Sequence, residues 1–253
     1  MNIASSKRNA LVFEFKDFKM HQALSGQRIN TDSCVFASLT GSLVEPKTIV
    51  DIGTGTGVVA LMLASKFPNA KILAVEPEDK ILQIARENFD RSPWSSRISC
   101  LGVRAQDLAV MLNTKFDLNA LNPPYFLSGP LAGEYLRAVA RHTFSLGPKD
   151  VFSILADLMH DGSEGWISCP TIDLDHWIAA GKASGLNLFR RIYICDHMDA
   201  KSHIAVLGWS HTDKGLTEDR ICYRDHQDGP PSPWMRAFRE RWFPDVYNQR
   251  LWT

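Results

Sequence analysis

Between Thr48 and Ser210 the chain alternates short apolar runs with longer segments in which apolar residues return every three or four positions. A short apolar run bounded by turn residues reads as a buried strand, whereas the three-to-four period reads as a helix with one buried face. "TIVDIG" predicts a first strand, and "GVVALMLASKF" follows as a helix with Val58, Leu61, Met62 and Ser65 at helical spacing. "KILAVEP" and the helix "DKILQIARENFDRS" repeat the unit. "RISCLGV" leads into Asp107 and a short helical piece, and "FDLNAL" is a fourth strand. Such alternation builds βαβ units and a mainly parallel sheet, with ligands taken at the carboxyl ends of its strands.

Beyond Glu134 the segment "EYLRAVARHTFSL" predicts a short helix in a lid-like loop. A helix from about Asp150 to His160, the strand "WISCP" and the helix "DLDHWIAAGKASG" come next, followed by the strands "LFRRIYIC" and "HIAVLGWS". Only "DHMDAKS" separates the last two, so they predict an antiparallel hairpin at the sheet edge. That makes seven strands, mainly parallel, with helices on both faces. The tail holds a further strand candidate, "RICYR", the breaker cluster "DGPPSP", and a closing helix with Trp234, Phe238 and Trp242. The expected organisation is a single α/β domain over 1–253, with a cap segment at 1–47, a core at 48–211 and an extension at 212–253.

Composition narrows the chemistry. Lys plus Arg and Asp plus Glu number 28 each, so the formal net charge is zero and a polyanion would need a local basic patch. Cys34, Cys100, Cys169, Cys195 and Cys222 show no metal-type spacing, which predicts five inert thiols in a reducing compartment and no bound metal. No window approaches roughly 18 uninterrupted apolar residues, so a cytoplasmic protein without a membrane span is expected.

Two motifs carry chemistry. "DIGTGTG" places Gly53, Gly55 and Gly57 between a strand and a helix, with Asp51 at the strand end. Glycines allow the sharp turn and the close approach of a ligand. Val58 occupies the position where a dinucleotide fingerprint wants its third glycine, which argues against NAD. Glu76 ends the second strand, where a carboxylate accepts two vicinal ribose hydroxyls. Asp107 is placed to accept from an adenine amino group or, equally, to cap the short helix. The second motif is Asn122, Pro123, Pro124 and Tyr125, directly after the fourth strand. Two prolines fix φ and remove two N–H donors, so this corner is a stiff loop offering an amide, bare carbonyls and an aromatic face. It suits a flat group bearing N–H donors.

Together these motifs resemble the Rossmann-like class I methyltransferases that act on exocyclic or amide nitrogens. The resemblance implies S-adenosyl-L-methionine as cofactor, Asp51 facing its ammonium group, and Asn122 with Pro123 accepting the target N–H while Tyr125 stacks on the base. Across 13–243 the chain is similar to the bacterial tRNA1(Val) adenine-N6-methyltransferases. "FEFKDF", "NTDS" at 30–33, "DIGTGTGVVALMLA", "NFDRSPWSSRI", "NPPY" and "RAVARHTFSL" carry that likeness. It implies a tRNA substrate methylated beside the anticodon and an N-terminal segment that brings Thr31 and Asp32 to the cofactor; a monomer is expected. By the same likeness Arg137 and Arg141, on one helix face with His142 beside them, touch RNA phosphates; a solvated helix face is the equal alternative. Lys16, Lys19 and Arg28, with Phe15 and Phe18, extend a basic and aromatic patch. "YRDHQDGPPSPW" and Asn119 depart from the family pattern.

Other readings use the same corner. Release-factor methyltransferases act on a glutamine amide, but they carry a helical domain before the glycine motif, where this chain has 50 residues before Asp51. Ribosomal RNA or DNA adenines are alternative targets. A cofactor-binding module without catalysis is the reading from a different class, and the joint presence of Asn122, Glu76 and the glycines speaks against it.

Overall fold

The computed structural model describes residues 12–22, 29–41, 45–123 and 146–245. The strands are β1 Val12–Glu14, β2 Lys19–His21, β3 Thr48–Ile52, β4 Lys71–Val75, β5 Ile98–Leu101, β6 Phe116–Leu121, β7 Met159–Pro170, β8 Asn187–His197, β9 Ile204–Ser210 and β10 Thr217–Arg224. The helices are α1 Thr31–Leu39, α2 Val58–Lys66, α3 Asp79–Asp90, α4 Ala105–Leu112, α5 Pro148–Leu158, α6 Leu174–Ala183 and α7 Pro233–Trp242.

β1 and β2 form a small antiparallel ribbon, and the rest make one sheet in the order β10-β8-β9-β7-β6-β3-β4-β5. β9 runs antiparallel to β7 and β8, and the other pairings are parallel. The mainly parallel sheet and the β8–β9 hairpin match the sequence expectation. One strand is added: "RICYR" grows into β10, which lies parallel to β8 and covers the hairpin. The sheet therefore has eight strands among the described residues.

Burial on both faces explains the near-continuous apolar strands. Ile49, Ala74, Leu118 and Val206 face a core shared with α1, α2, α3 and α7, while Val50, Val75, Leu121 and Leu207 face α4, α5 and α6. α2 has Val58 through Ala64 all buried, because α1 packs on its outer side. Asn119 interrupts β6 for a local reason. Its Nδ2 donates to Phe116 O at 3.2 Å and Glu164 O at 3.4 Å, bridging the irregular register between β6 and β7.

The two ends of the described chain are tied together. Lys16 N donates to Trp242 O at 2.9 Å, and Arg241 pairs with Asp17 at 3.1 Å. Phe15 stacks on Phe18 at 4.3 Å between ring centroids and on Phe243 at 5.3 Å, and both Phe15 and Phe18 are buried. This corrects their expected place in an exposed aromatic patch. Three phenylalanines leave water at once when α7 docks, and that burial outweighs keeping two rings free for a ligand. The cysteine expectation also changes. Cys195 and Cys222 stand opposite each other on β8 and β10 and are joined as a disulfide, while Cys34, Cys100 and Cys169 are free. Strand pairing brings the two together across 27 positions, which spacing alone does not reveal.

Candidate active site

Register aligns the candidate residues along one edge. Leu121 of β6 pairs with Ile52 of β3 and with Ile167 of β7, and Ile52 pairs with Val75 of β4. The next residue on each strand is therefore Asn122, Gly53, Ser168 and Glu76. The carboxyl ends of the parallel strands thus deliver the glycine turn, the Glu76 carboxylate and the Asn-Pro corner side by side.

Gly53, Gly55 and Gly57 have φ of 74°, 57° and 97°, a region that residues with a Cβ enter only at a cost. Gly53 N and Thr54 N both donate to Val75 O, at 2.8 and 2.9 Å, which folds the turn over the end of β4. Gly57 serves packing as well, since a Cβ there would lie 2.5 Å from the Phe89 ring.

Asp51 braces this turn from below. Its Oδ2 accepts from Thr54 Oγ1 at 2.6 Å and from Ala60 N at 3.1 Å. Burial pushes its carboxyl up to about 7, against the lowering effect of those two bonds. Glu76 accepts Gly55 N on Oε2 at 3.1 Å and Glu78 N on Oε1 at 3.2 Å. It too is raised to about 7, chiefly by burial, with Glu78 and Asp51 adding repulsion. Asp107 sits exposed in the first turn of α4, with its N–H on Arg104 O at 3.1 Å.

α1 approaches from the other side. Asn30 caps it by accepting Ser33 N on Oδ1 at 2.7 Å. Thr31 is half-buried at the helix start. Asp32 Oδ1 accepts from Tyr223 Oη at 2.6 Å and lies 3.7 Å from His203 Nε2. Burial alone would raise this carboxyl, but His203 and Tyr223 together carry it below the usual carboxylate value. Asn122 Nδ2 donates to Ser33 Oγ at 2.9 Å, and Asn122 Oδ1 accepts from Ser168 Oγ.

Sequence reasoning missed four of these residues. Ser33 lay unremarked inside "NTDS", Ser168 inside an ordinary strand, and His203 and Tyr223 in segments read as scaffold or tail. Pro123 is described as half-buried beside Asn122. Pro124, Tyr125, Arg28, Arg137, Arg141 and His142 lie outside the described residues. Lys19 Nζ pairs with Glu14 at 2.6 Å, and Lys16 Nζ donates to the Glu240 carbonyl. No group of His, Cys, Asp and Glu suited to a metal occurs among the described residues, nor does a helix long and apolar enough to cross a membrane.

Sheet order, glycine turn and carboxylate positions define a class I, S-adenosylmethionine-dependent methyltransferase. The crystal structure of a predicted O-methyltransferase from Agrobacterium tumefaciens shares the fold, with a TM-score of 0.63 at 16% identity over 83% of this chain and 95% of that one. Residues 19–140 match the Methyltransferase small domain family. The chain is 34% identical over 225 residues to a tRNA1(Val) (adenine(37)-N6)-methyltransferase of Vibrio cholerae, covering 87% of this chain and 92% of the relative. A relative of the same description in Tolumonas auensis is 30% identical over 232 residues, covering 91% and 96%. The chain belongs to this tRNA1(Val) (adenine(37)-N6)-methyltransferase family.

Proposed function

We propose that the protein methylates the N6 amine of adenine in tRNA, at the adenine beside the anticodon of tRNA-Val, with S-adenosylmethionine as donor. The observation that carries this reading is the position of Asn122, one residue past β6 and one strand away from the glycine turn, in a chain of that family.

The residues present fit the cofactor. Gly53 and Gly55 adopt φ values that bring bare backbone to the turn. Each Glu76 oxygen accepts one backbone N–H and has capacity for a second bond, which suits two vicinal hydroxyls. When bound, S-adenosylmethionine supplies a methyl group activated by its sulfonium.

The protein's part is to make a poor nucleophile react. An adenine amine delocalises its lone pair into the ring. Asn122 Oδ1 and the Pro123 carbonyl each accept one of its N–H groups, which favours pyramidal nitrogen and returns the lone pair. As nitrogen gains the methyl carbon, positive charge grows on it, and the same two oxygens stabilise that charge. Their rigidity in advance is the source of the effect. The extra proton then leaves to water, so no side-chain base is needed.

Thr31, Asp51 and Asp107 are proposed to complete the cofactor pocket, with Asp32 acting through the shape of α1. Lys16 and Lys19 are proposed phosphate contacts, alongside Arg28, Arg137 and Arg141. Pro124 and Tyr125 are proposed to close the corner and stack on the base. We read the working enzyme as one domain and one chain, acting in the cytoplasm without a metal, because a single chain supplies every acceptor the chemistry uses.

The test is incubation with labelled cofactor and total tRNA, ribosomal RNA or release factor, followed by mapping of the modified product. N6-methyladenosine beside the tRNA-Val anticodon is expected, and label confined to ribosomal RNA or to a glutamine would overturn the reading. Asn122→Ala should abolish transfer with cofactor affinity nearly intact. Wild-type turnover in that variant would refute the role of Asn122. Binding of tRNA should also weaken steeply with salt.

A further inference from the structure

Asn122 is held between two hydroxyls that come from distant parts of the fold. Ser33 reaches it from α1 and Ser168 from β7, at separations of 89 and 46 positions. Each serine is itself fixed. Ser33 has its N–H on the Asn30 cap at 2.7 Å. Ser168 is 1% exposed and pairs with Val206 in the β7–β9 ladder, so its side chain has little room to move.

The terminal torsion of an asparagine is broad, and an unrestrained amide swings about it. A swinging amide offers its oxygen to the target amine only part of the time. Here one hydroxyl holds the nitrogen edge and another the oxygen edge, and two bonds on opposite edges define the plane of the group. A carbonyl oxygen accepts two hydrogen bonds, so the Ser168 bond is compatible with a target N–H on the same atom. A donated hydroxyl also draws electron density from that oxygen and makes it a slightly weaker acceptor. Whatever Ser168 gains for the reaction must therefore come from orientation.

We propose that Ser33 and Ser168 are positioning residues for methyl transfer, fixing the plane of the Asn122 amide before substrate arrives. This rests on the reading of Asn122 as the acceptor of the target N–H. Neither serine touches substrate in this proposal, so their loss is felt in the chemical step and not in affinity.

The experiment uses the full chain, S-adenosylmethionine and transcribed tRNA-Val, with single-turnover rate, KM for tRNA and Kd for cofactor measured for Ser168→Ala, Ser33→Ala, Ser168→Thr and Asn122→Ala. Ser168→Ala and Ser33→Ala should each slow the chemical step about 10- to 100-fold, the scale of a small misplacement, with KM and Kd within about twofold. Ser168→Thr keeps the hydroxyl and should recover most of the rate.

An unchanged rate in both alanine variants, or a loss confined to KM, would sink the clamp. So would a lower melting temperature with normal rate per folded molecule, or a threonine variant no better than alanine. Should Ser168→Ala fail to fold, Ser33→Ala at the half-buried start of α1 decides alone. If Asn122→Ala keeps full turnover, the underlying reading fails with it. If Asn122→Ala is dead and both serine variants are normal, only the clamp fails.

Discussion

Tyr223 donates its phenolic hydroxyl to Asp32 Oδ1 at 2.6 Å, joining residues 191 positions apart. Tyr223 belongs to β10, the strand added to the edge of the sheet, and Asp32 to the first turn of α1, whose Ser33 meets Asn122. The tail of the chain therefore supports the approach to the site. Tyr223→Phe would leave a half-buried carboxylate short of one donor, a loss of about 1 to 3 kcal/mol. Urea unfolding should show a lower midpoint with an unchanged slope. An unaltered midpoint would mean that the bond contributes nothing net.

His203 stands 3.7 Å from the same carboxylate, whose contact raises the imidazole above its ordinary value, with Asp196 adding to the effect and burial opposing it. A raised histidine stabilises the fold fully below its unfolded value near 6.5, and that contribution fades as pH rises through the higher folded value. Asp32, lowered, keeps its share above about 4 and loses it in acid. Tyr223 and the buried Cys34 thiol also face the pair; both are raised by burial and by Asp32 and stay protonated throughout. The stability difference between wild type and His203→Gln should be largest near about pH 5 to 6 and shrink toward pH 8. A difference independent of pH would show that charge on His203 is not involved.

Glu76 and Asp51 are both raised to about 7, mainly by burial. In its proposed role Glu76 accepts ribose hydroxyls, which prefer the ionised carboxylate, so a fraction of it would lose its proton on binding below neutrality. Cofactor affinity should therefore fall as pH drops below about 7 and level off above it. Calorimetric Kd values across that range give the profile. Glu76→Gln should bind weakly with a flatter dependence, and a full-size dependence in that variant would remove Glu76 as its source.

Gly57 combines φ of 97° with a Phe89 ring carbon 2.5 Å from where a Cβ would stand. Gly57→Ala meets both penalties, the left-handed conformation at about 1 to 2 kcal/mol and overpacking at about 1 to 3. Thermal unfolding should report a large loss. Pairing it with Phe89→Leu should return part of the steric share and none of the conformational one. A neutral Gly57→Ala would contradict the geometry.

Much of this architecture was readable from the chain. Among the described residues from Thr48 to Ser210, strand and helix positions followed from apolar spacing, because burial on one face or two is imposed at the level of neighbouring residues; the short helix expected in "EYLRAVARHTFSL" lies almost wholly outside them. Asp51, the glycines, Glu76 and Asn122 were legible for the same reason: turn chemistry and strand ends are local, and parallel strands carry their ends to one edge. Relationships that span the fold were not legible. Ser33 and Ser168 gain meaning only when α1 and β7 flank Asn122, and Tyr223 only when β10 settles beside β8. Phe15 and Phe18 looked like exposed aromatics until α7 closed over them. Short-range pattern thus determined which elements form and which chemical groups the turns between them carry. Which distant hydroxyls and charges meet there was decided by the packing of whole elements, because that choice depends on volume and register summed over the entire core.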